Sequence, residues 1–215
     1  MPDKPQRKSA VATRRGDDGT TGLLFGSARV FKDEPRTEAY GDVDEAVAAL
    51  GLARAELGLK AQYGTLPRTL DGLPDLILRL QRELFVVGAE LATDPAALDR
   101  QVAGVTRVTA AMVDGIDAIL AETEAAVEMP REFVVPGETR LSAALELART
   151  IVRRAARRAV AIRRAEPIPE DQLVPYLNRL ADLLWILARA AEQGESRTAT
   201  PSRAEPALPR GQAGD

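Results

Sequence analysis

Apolar residues along this chain recur mostly at alternating steps of four and three, the repeat that lines them up on one face of an α-helix. The clearest run is Leu141, Leu145, Ala148, Val152, Ala155, Ala159 and Ile162. A second stripe is formed by Leu73, Ile77, Leu80, Leu84, Val87 and Leu91. A third is formed by Leu173, Leu177, Leu180, Leu184, Leu187 and Ala191, where Pro175 is tolerable because it falls in the first turns. Asp42, Val43, Ala46, Leu50, Ala53 and Leu57 predict another helix, broken by Gly58 and Gly64, with apolar residues small enough for a neighbour to approach closely. Leu98, Val102, Val105, Met112, Ile116 and Ile119 predict one more, after Asp94-Pro95, a capping residue followed by a first-turn proline. Met129-Pro130 ends that region, Phe133-Val-Val-Pro136-Gly137 reads as an apolar extended link, and Pro167 and Pro169 bracket the last turn. No stretch of the sequence sustains period-two alternation. The expected fold is therefore all-α, a five-helix antiparallel bundle.

The two ends lack this pattern. Residues 1–12 are polar and proline-bearing, and predict a flexible arm. Residues 194–215 are rich in Pro, Ala, Arg and Gly without a period, and predict a disordered tail. One helical domain over 13–193 remains, and a chain of 215 residues is large enough to bury one sizeable core. The net charge of −3 argues against a general polyanion binder. Cys and His are both missing, which removes disulfides, thiolate nucleophiles, histidine metal sites and the usual general base. Chemistry here has to run on carboxylates, Arg, Lys, hydroxyls, backbone amides or a borrowed cofactor. No apolar run is long enough for a membrane span, and the N-terminus lacks the apolar core of a signal peptide, so a cytoplasmic protein with no membrane partner is expected.

Two segments stand out against this background. Arg149, Arg153 and Arg157 follow one another at i, i+4 beside the apolar stripe of the helix that carries them. Like charges at that spacing destabilise a helix by roughly 0.2–0.5 kcal/mol per pair, so acids, phosphates or solvent must face the row. Thr13-Arg14-Arg15-Gly16-Asp17-Asp18-Gly19-Thr20-Thr21-Gly22 is an irregular loop whose glycines let backbone N–H groups converge on an anion, with hydroxyl donors between them. It is neither a P-loop, lacking Gly-Lys-Ser/Thr, nor a dinucleotide fingerprint, and a plain surface turn reads equally well from composition. Asp44 and Glu45 read as acids complementing the early turns of their helix.

These segments resemble a known family. The Thr13–Gly22 stretch is similar to the N-terminal ATP loop of the propanediol-utilisation type of ATP:cob(I)alamin adenosyltransferases. The similarity continues through Arg29-Val30-x-Lys32-Asp33-x-Pro35-Arg36 and Glu38-Ala39-Tyr40-Gly41-x-Val43-Asp44-Glu45. It resumes at Phe133–Gly137, Leu141-Ser142-Ala143 and Ala148-Arg149-Thr150-x-x-Arg153-Arg154-Ala155-x-Arg157, and closes at Tyr176-Leu177-Asn178-Arg179-Leu180-x-Asp182. Each block is weak alone; the ordered set, from Thr13 to Ala191, is specific.

The resemblance implies a homotrimer of five-helix bundles with active sites between subunits. It implies transfer of the 5′-deoxyadenosyl group of ATP to reduced cobalamin with release of triphosphate, with Mg²⁺ accompanying the nucleotide. It assigns Thr13–Gly22 and Lys32 to the phosphates, Arg153, Arg154 and Arg157 to the triphosphate block, and Asn178 to the nucleotide. It makes Asp44 and Arg149 a pair that bridges subunits, and Phe133 the aromatic residue at the lower corrin face. A cobalamin reductase and an adenosylcobalamin-dependent enzyme are the partners it suggests. The chain departs from the family pattern at Arg15, Val47 and Ala156, the last standing where relatives have Glu inside the arginine block. Three other readings stay open: a divergent paralogue that binds ATP or cobalamin as a chaperone or sensor; a purely structural oligomer whose arginines meet acids such as Asp44 or Glu45 across the interface; and a nucleic-acid-binding bundle, against which stand the acidic balance and the lack of an aromatic platform beside the arginines.

Overall fold

The structure is a computed structural model that describes residues 12–166, 168 and 171–203. The expected arm therefore lies outside the described residues except for Ala12, as do Pro167 and Pro169. Five long helices carry the fold: α1 Pro35–Gln62, α2 Leu73–Ala92, α3 Ala110–Ala126, α4 Arg140–Ala165 and α5 Leu173–Gly194. Two small antiparallel ribbons accompany them, β1 Thr20–Gly22 with β2 Arg29–Phe31, and β3 Val134–Val135 with β4 Thr200–Pro201. The all-α expectation holds, and every residue of the stripes on α2, α4 and α5 is buried.

α1 packs against α2 and α4, α4 against α5, and α5 against α3. Consecutive helices alternate in direction. Ion pairs fix the α1–α4 register: Arg36 meets Glu166, Arg158 meets Glu38 and Arg154 meets Glu45, so one numbering rises as the other falls. α3 and α5 instead run parallel, with Arg179 on Asp117 at one end and Gln193 on Glu128 at the other. Neighbours are thus antiparallel except for that pair.

Three expectations need correcting. α1 starts at Pro35, well ahead of Asp42 where the apolar stripe begins, and runs through Gly58 to Gln62. Its first turns hide behind polar letters, because Arg36 is buried, donating to the Leu91 carbonyl at 3.1 Å, and Thr37 donates to the Glu34 carbonyl at 2.8 Å. A glycine inside a helix costs about 1 kcal/mol, less than burial of Leu57 beside it returns; Gly64, at φ +65, is the residue that ends the turn. The third helix begins only at Ala110, capped by Thr109. Leu98 lies in a 3-10 stretch, Pro95–Arg100, which Asp94 caps through Ala96 N. Val102 and Val105 are exposed in a loop closed by Thr106, whose hydroxyl accepts from Val102 N at 2.8 Å, and by Gly104 at φ +73. Lastly, the tail expected from residue 194 is placed as far as Arg203 and forms β4; residues 204–215 lie outside the described residues.

Buried polar groups tie the bundle together. Tyr176 of α5, fully buried, donates its phenol to Glu83 of α2 at 2.8 Å. Burial, then the Glu83 charge, hold that phenol well above its ordinary value of 10.0. Tyr176→Phe should lower stability by about 1–2 kcal/mol, the worth of a hydrogen bond to a charged group less the repacking it allows. As pH rises past 10, the unfolded chain releases a phenol proton that the folded chain keeps, so stability falls with pH. That part of the alkaline loss should vanish in Tyr176→Phe, as urea melts of both proteins across this range would show.

A candidate nucleotide and corrin site

α4 carries two rows of arginine, one residue and hence about 100° apart around the helix axis. The row toward α1 is Arg154 and Arg158. Arg154 donates to Asp42 at 3.0 Å and to Glu45, and Arg158 donates to Glu38 while its Nε stands 3.1 Å from the other Asp42 oxygen without hydrogen-bond geometry. Asp42 is buried, so it needs these cations. The Asp42 hydrogen bond, first among its causes, holds the Arg154 guanidinium above its ordinary range.

The outward row is Arg149, Arg153 and Arg157. Arg149 is half-buried and donates to Glu146 at 2.5 Å. Arg153 and Arg157 are exposed and, among the described residues, make no hydrogen bond or ion pair. They open with Asn178 of α5 on a cavity of about 240 Å³, together with Ala156 and Val160. The antiparallel packing of α4 on α5 brings Asn178 there, 20 or more residues from either arginine. Ala156 is nearly buried beneath them, so no side chain at that position reaches the guanidiniums.

One helical turn toward the start of α4 the surface becomes apolar. Phe133, Val134 and Pro136 of the α3–α4 link, with Glu146, Arg149 and Trp185, line a cavity of about 500 Å³. Phe133 is 88% exposed. Beneath lies a buried charge cluster: Arg189 stands 3.4 Å from Glu146, donates to Glu192 at 2.9 Å, and has its guanidinium 5.6 Å from the Trp185 ring centre. Trp185, Glu146 and Arg189 were not singled out by sequence reasoning. Glu146 and Arg189 read as helix-surface charges, and only their places on the inward faces of α4 and α5 mark them otherwise.

The glycine loop sits apart, on the β1–β2 ribbon ahead of α1. Thr20–Gly22 pair with Arg29–Phe31, so the last part of the loop is strand. The rest is tied by side chains: Lys32 Nζ donates to Gly16 O at 2.8 Å, Arg29 donates to Arg15 O at 2.7 Å, and Asp18 accepts from the amide and hydroxyl of Thr20. The Thr20 hydroxyl is the first cause that holds the Asp18 carboxyl below its ordinary range. A Cβ at Gly16 would stand 2.9 Å from Lys32 Nζ, so glycine is what lets the lysine close over the loop. Arg14 and Gly19 turn the chain at φ 59 and +80. Thr13, Asp17 and Thr21 have no side-chain bond within the chain among the described residues. No hydrogen bond or ion pair joins Thr13–Gly22 to the arginine row in one chain, again among the described residues.

Asp44 is exposed on α1 and does not meet Arg149 in the same chain. With α1 starting at Pro35, Asp44 and Glu45 stand beyond its first turn, out of reach of the helix terminus. Glu45 serves Arg154 instead.

Residues 11–191 match the family model described as cobalamin adenosyltransferase. The chain belongs to this family. A corrinoid adenosyltransferase of Citrobacter freundii is 36% identical over 182 residues, 85% of this chain and 94% of the relative. A corrinoid adenosyltransferase of Mycobacterium tuberculosis is 39% identical over 182 residues, 84% of this chain and 88% of the relative. Among solved structures, a variant of the PduO-type ATP:corrinoid adenosyltransferase of Lactobacillus reuteri, complexed with cobalamin and ATP, superposes with a TM-score of 0.76. It is 29% identical and covers 90% of this chain and 96% of its own. One helix of this chain thus presents two kinds of arginine. Arg154→Ala should cost on the order of 1 kcal/mol, the charge-assisted value discounted for a guanidinium more than a third exposed. Arg153→Ala should leave the melting temperature unchanged or slightly raised, since it relieves like-charge repulsion. Thermal melts of the two variants side by side check this.

Proposed function

We infer that the chain transfers the 5′-deoxyadenosyl group of ATP to the cobalt of cob(I)alamin, giving adenosylcobalamin and inorganic triphosphate. The observation that carries this reading is that Arg153 and Arg157, without a partner among the described residues, open with Asn178 on a cavity beside a mainly apolar, aromatic one, in a member of this family. In the reaction the Co(I) lone pair forms a bond to C5′, the C5′–O bond breaks, and the electron pair leaves on the triphosphate. No protein nucleophile or general base is required, which agrees with a chain that has no Cys or His.

On this reading the protein supplies position and charge. Arg153 and Arg157 hold the triphosphate and neutralise the charge that grows on it as the bond breaks. Arg154, although assigned to the same block, acts from behind, pinning α4 to Asp42 so that the free row keeps its place. Asn178 orients the nucleotide. Thr13–Gly22 and Lys32 cradle the phosphates, Lys32 using the N–H donors it does not spend on Gly16. Phe133 faces the lower side of the corrin. Mg²⁺, which the family resemblance implies, would enter with the nucleotide and neutralise part of the charge on its phosphates.

The separation of loop and arginine row within one chain supports a homotrimer in which the loop of one subunit meets the row of the next. The exposed Asp44 is then available to Arg149 of the neighbour. Sedimentation at micromolar concentration should give a trimer, and a clean monomer would overturn this arrangement. We place the protein in the cytoplasm, fed by a cobalamin reductase and drawn on by an adenosylcobalamin-dependent enzyme; no helix among the described residues is long and apolar enough to cross a membrane.

The deciding experiment is an anaerobic assay with ATP and chemically reduced cobalamin, following the adenosylcobalamin spectrum. Turnover is expected, with Arg153→Ala slowed roughly 10²–10³-fold at unchanged melting temperature. Binding of ATP and cobalamin without turnover would assign the chain to a chaperone or sensor role instead. Full turnover by Arg153→Ala in a normal trimer would remove Arg153 from the catalytic set.

A further inference from the structure

The α3–α4 link is held at both ends by its own side of the bundle. Where it leaves α3, Gln193 of α5 donates to Glu128 O at 2.6 Å and accepts from Glu128 N at 3.0 Å. Where it enters α4, Thr139 and Ser142 bond each other's backbone amides as a capping box. The middle of the link, which carries Phe133, is different. Among the described residues, its hydrogen bonds to other elements come from the segment beyond α5. Val134–Val135 pair with Thr200–Pro201, Ser202 N donates to Phe133 O at 2.7 Å, and the Thr200 hydroxyl donates to Glu138. Ser196, at φ 56, and the bond from Arg197 N to Glu192 O at 2.8 Å turn the chain back from α5 to reach it. The family match ends at residue 191, so this segment lies outside the part of the chain that the family model describes.

We propose that Thr200–Ser202 is a strap that positions the Phe133 link over Trp185, and so sets the corrin side of the site. The corrin consequence rests on the function inferred above; the positioning does not. Without the strap the stretch from Pro130 to Gly137 has no cross-element hydrogen bond among the described residues, and Gly137, at φ +133, adds a backbone freedom that other residues lack. The link then samples many conformations, and the apparent affinity of a ligand that needs one of them falls by the fraction in which it is populated. A two-residue ribbon is only marginally stable by itself, so the strap can yield as a large ligand enters and close after it. The nucleotide cavity at Arg153, Arg157 and Asn178 receives nothing from the strap and should not respond.

Trp185 is the sole tryptophan of the chain and lines the cavity that Phe133, Val134 and Pro136 cover, so its fluorescence reports the link directly. Three proteins are compared with the full chain: one ending at Arg203, which keeps the strap, one ending at Ala199, which lacks it, and full-length Ser202→Pro, which removes the N–H given to Phe133. The chain ending at Arg203 should match the full chain. The other two should show Trp185 more open to acrylamide quenching and cob(II)alamin bound about tenfold more weakly. Their ATP affinity and bundle melting temperature should be unchanged. Unchanged quenching in both strap variants overturns the proposal, and so does a parallel loss of ATP affinity and melting temperature, which would make the segment a general stabiliser. If the full chain fails to bind cobalamin, the inferred function falls, and Trp185 quenching alone decides the strap.

Discussion

Arg154 donating to the buried Asp42 across the α1–α4 seam is the contact on which the arginine face depends. A carboxylate in that position must be paired, and the pairing fixes both the rotation of α4 about its axis and its register along α1. With Arg154 and Arg158 turned inward, the geometry of a helix leaves Arg153 and Arg157 turned outward and toward α5. The free row is thus defined by the engaged one. Turning α4 by one residue would trade the two sets, setting Arg153 and Arg157 against the α1 acids and freeing Arg154 and Arg158, but it would also carry the buried apolar stripe of α4 out of the core.

The same economy is visible at both ends of the bundle. Near the start of α1, Glu90 is buried between Arg163 at 2.5 Å and Val108 N at 2.6 Å, with Arg163 also 3.0 Å from Asp171. Burial raises the Glu90 carboxyl despite these partners. Near the start of α4, Glu146 is shared between Arg149 and the buried Arg189. Such networks contribute little net stability, because desolvation offsets much of the attraction and Arg163 Nη1 and Arg189 Nη1 find no hydrogen bond among the described residues, but their ion pairs form only when the helices are placed in this way. They supply specificity that a core of Leu and Ala stripes, tolerant of sliding, does not supply by itself.

Periodicity in the sequence identified α2, α4 and α5 residue by residue, since their stripes are continuous and apolar. It failed where burial is polar or geometry is local. Arg36 and Thr37 look like loop residues, yet they are the buried first turn of α1. Val102 and Val105 keep helical spacing, yet Gly104 and Thr106 close them into a loop, because a positive φ and a side-chain bond to Val102 N outweigh a weak stripe. The arginine row was legible as an anomaly, a run of like charges that demanded an answer. The answer proved to be divided: α1 acids for Arg154 and Arg158, Glu146 for Arg149, and nothing within the chain for Arg153 and Arg157 among the described residues. Trp185 and β4 were not legible at all, because both acquire meaning only from a link that folds over one and pairs with the other.

The division has a mechanical consequence. Groups that hold the bundle together and groups left free for a ligand alternate on the same helix, so a ligand that pulls on Arg153 or Arg157 pulls against the Asp42 seam. That seam is stiff: two cations share one buried carboxylate, and Glu38 and Glu45 flank it. The glycine loop and the Phe133 link are the opposite, each tied by a few bonds to exposed backbone, such as Lys32 on Gly16 and Ser202 on Phe133. Cations on a helix fixed in this way, with a yielding link beside them, suit a ligand that must enter past the link and then be held at one fixed point. Electrostatic stabilisation of a developing charge works only when the charges that supply it do not move to meet it. The buried carboxylate, rather than the arginines themselves, is therefore the element that makes the free row useful.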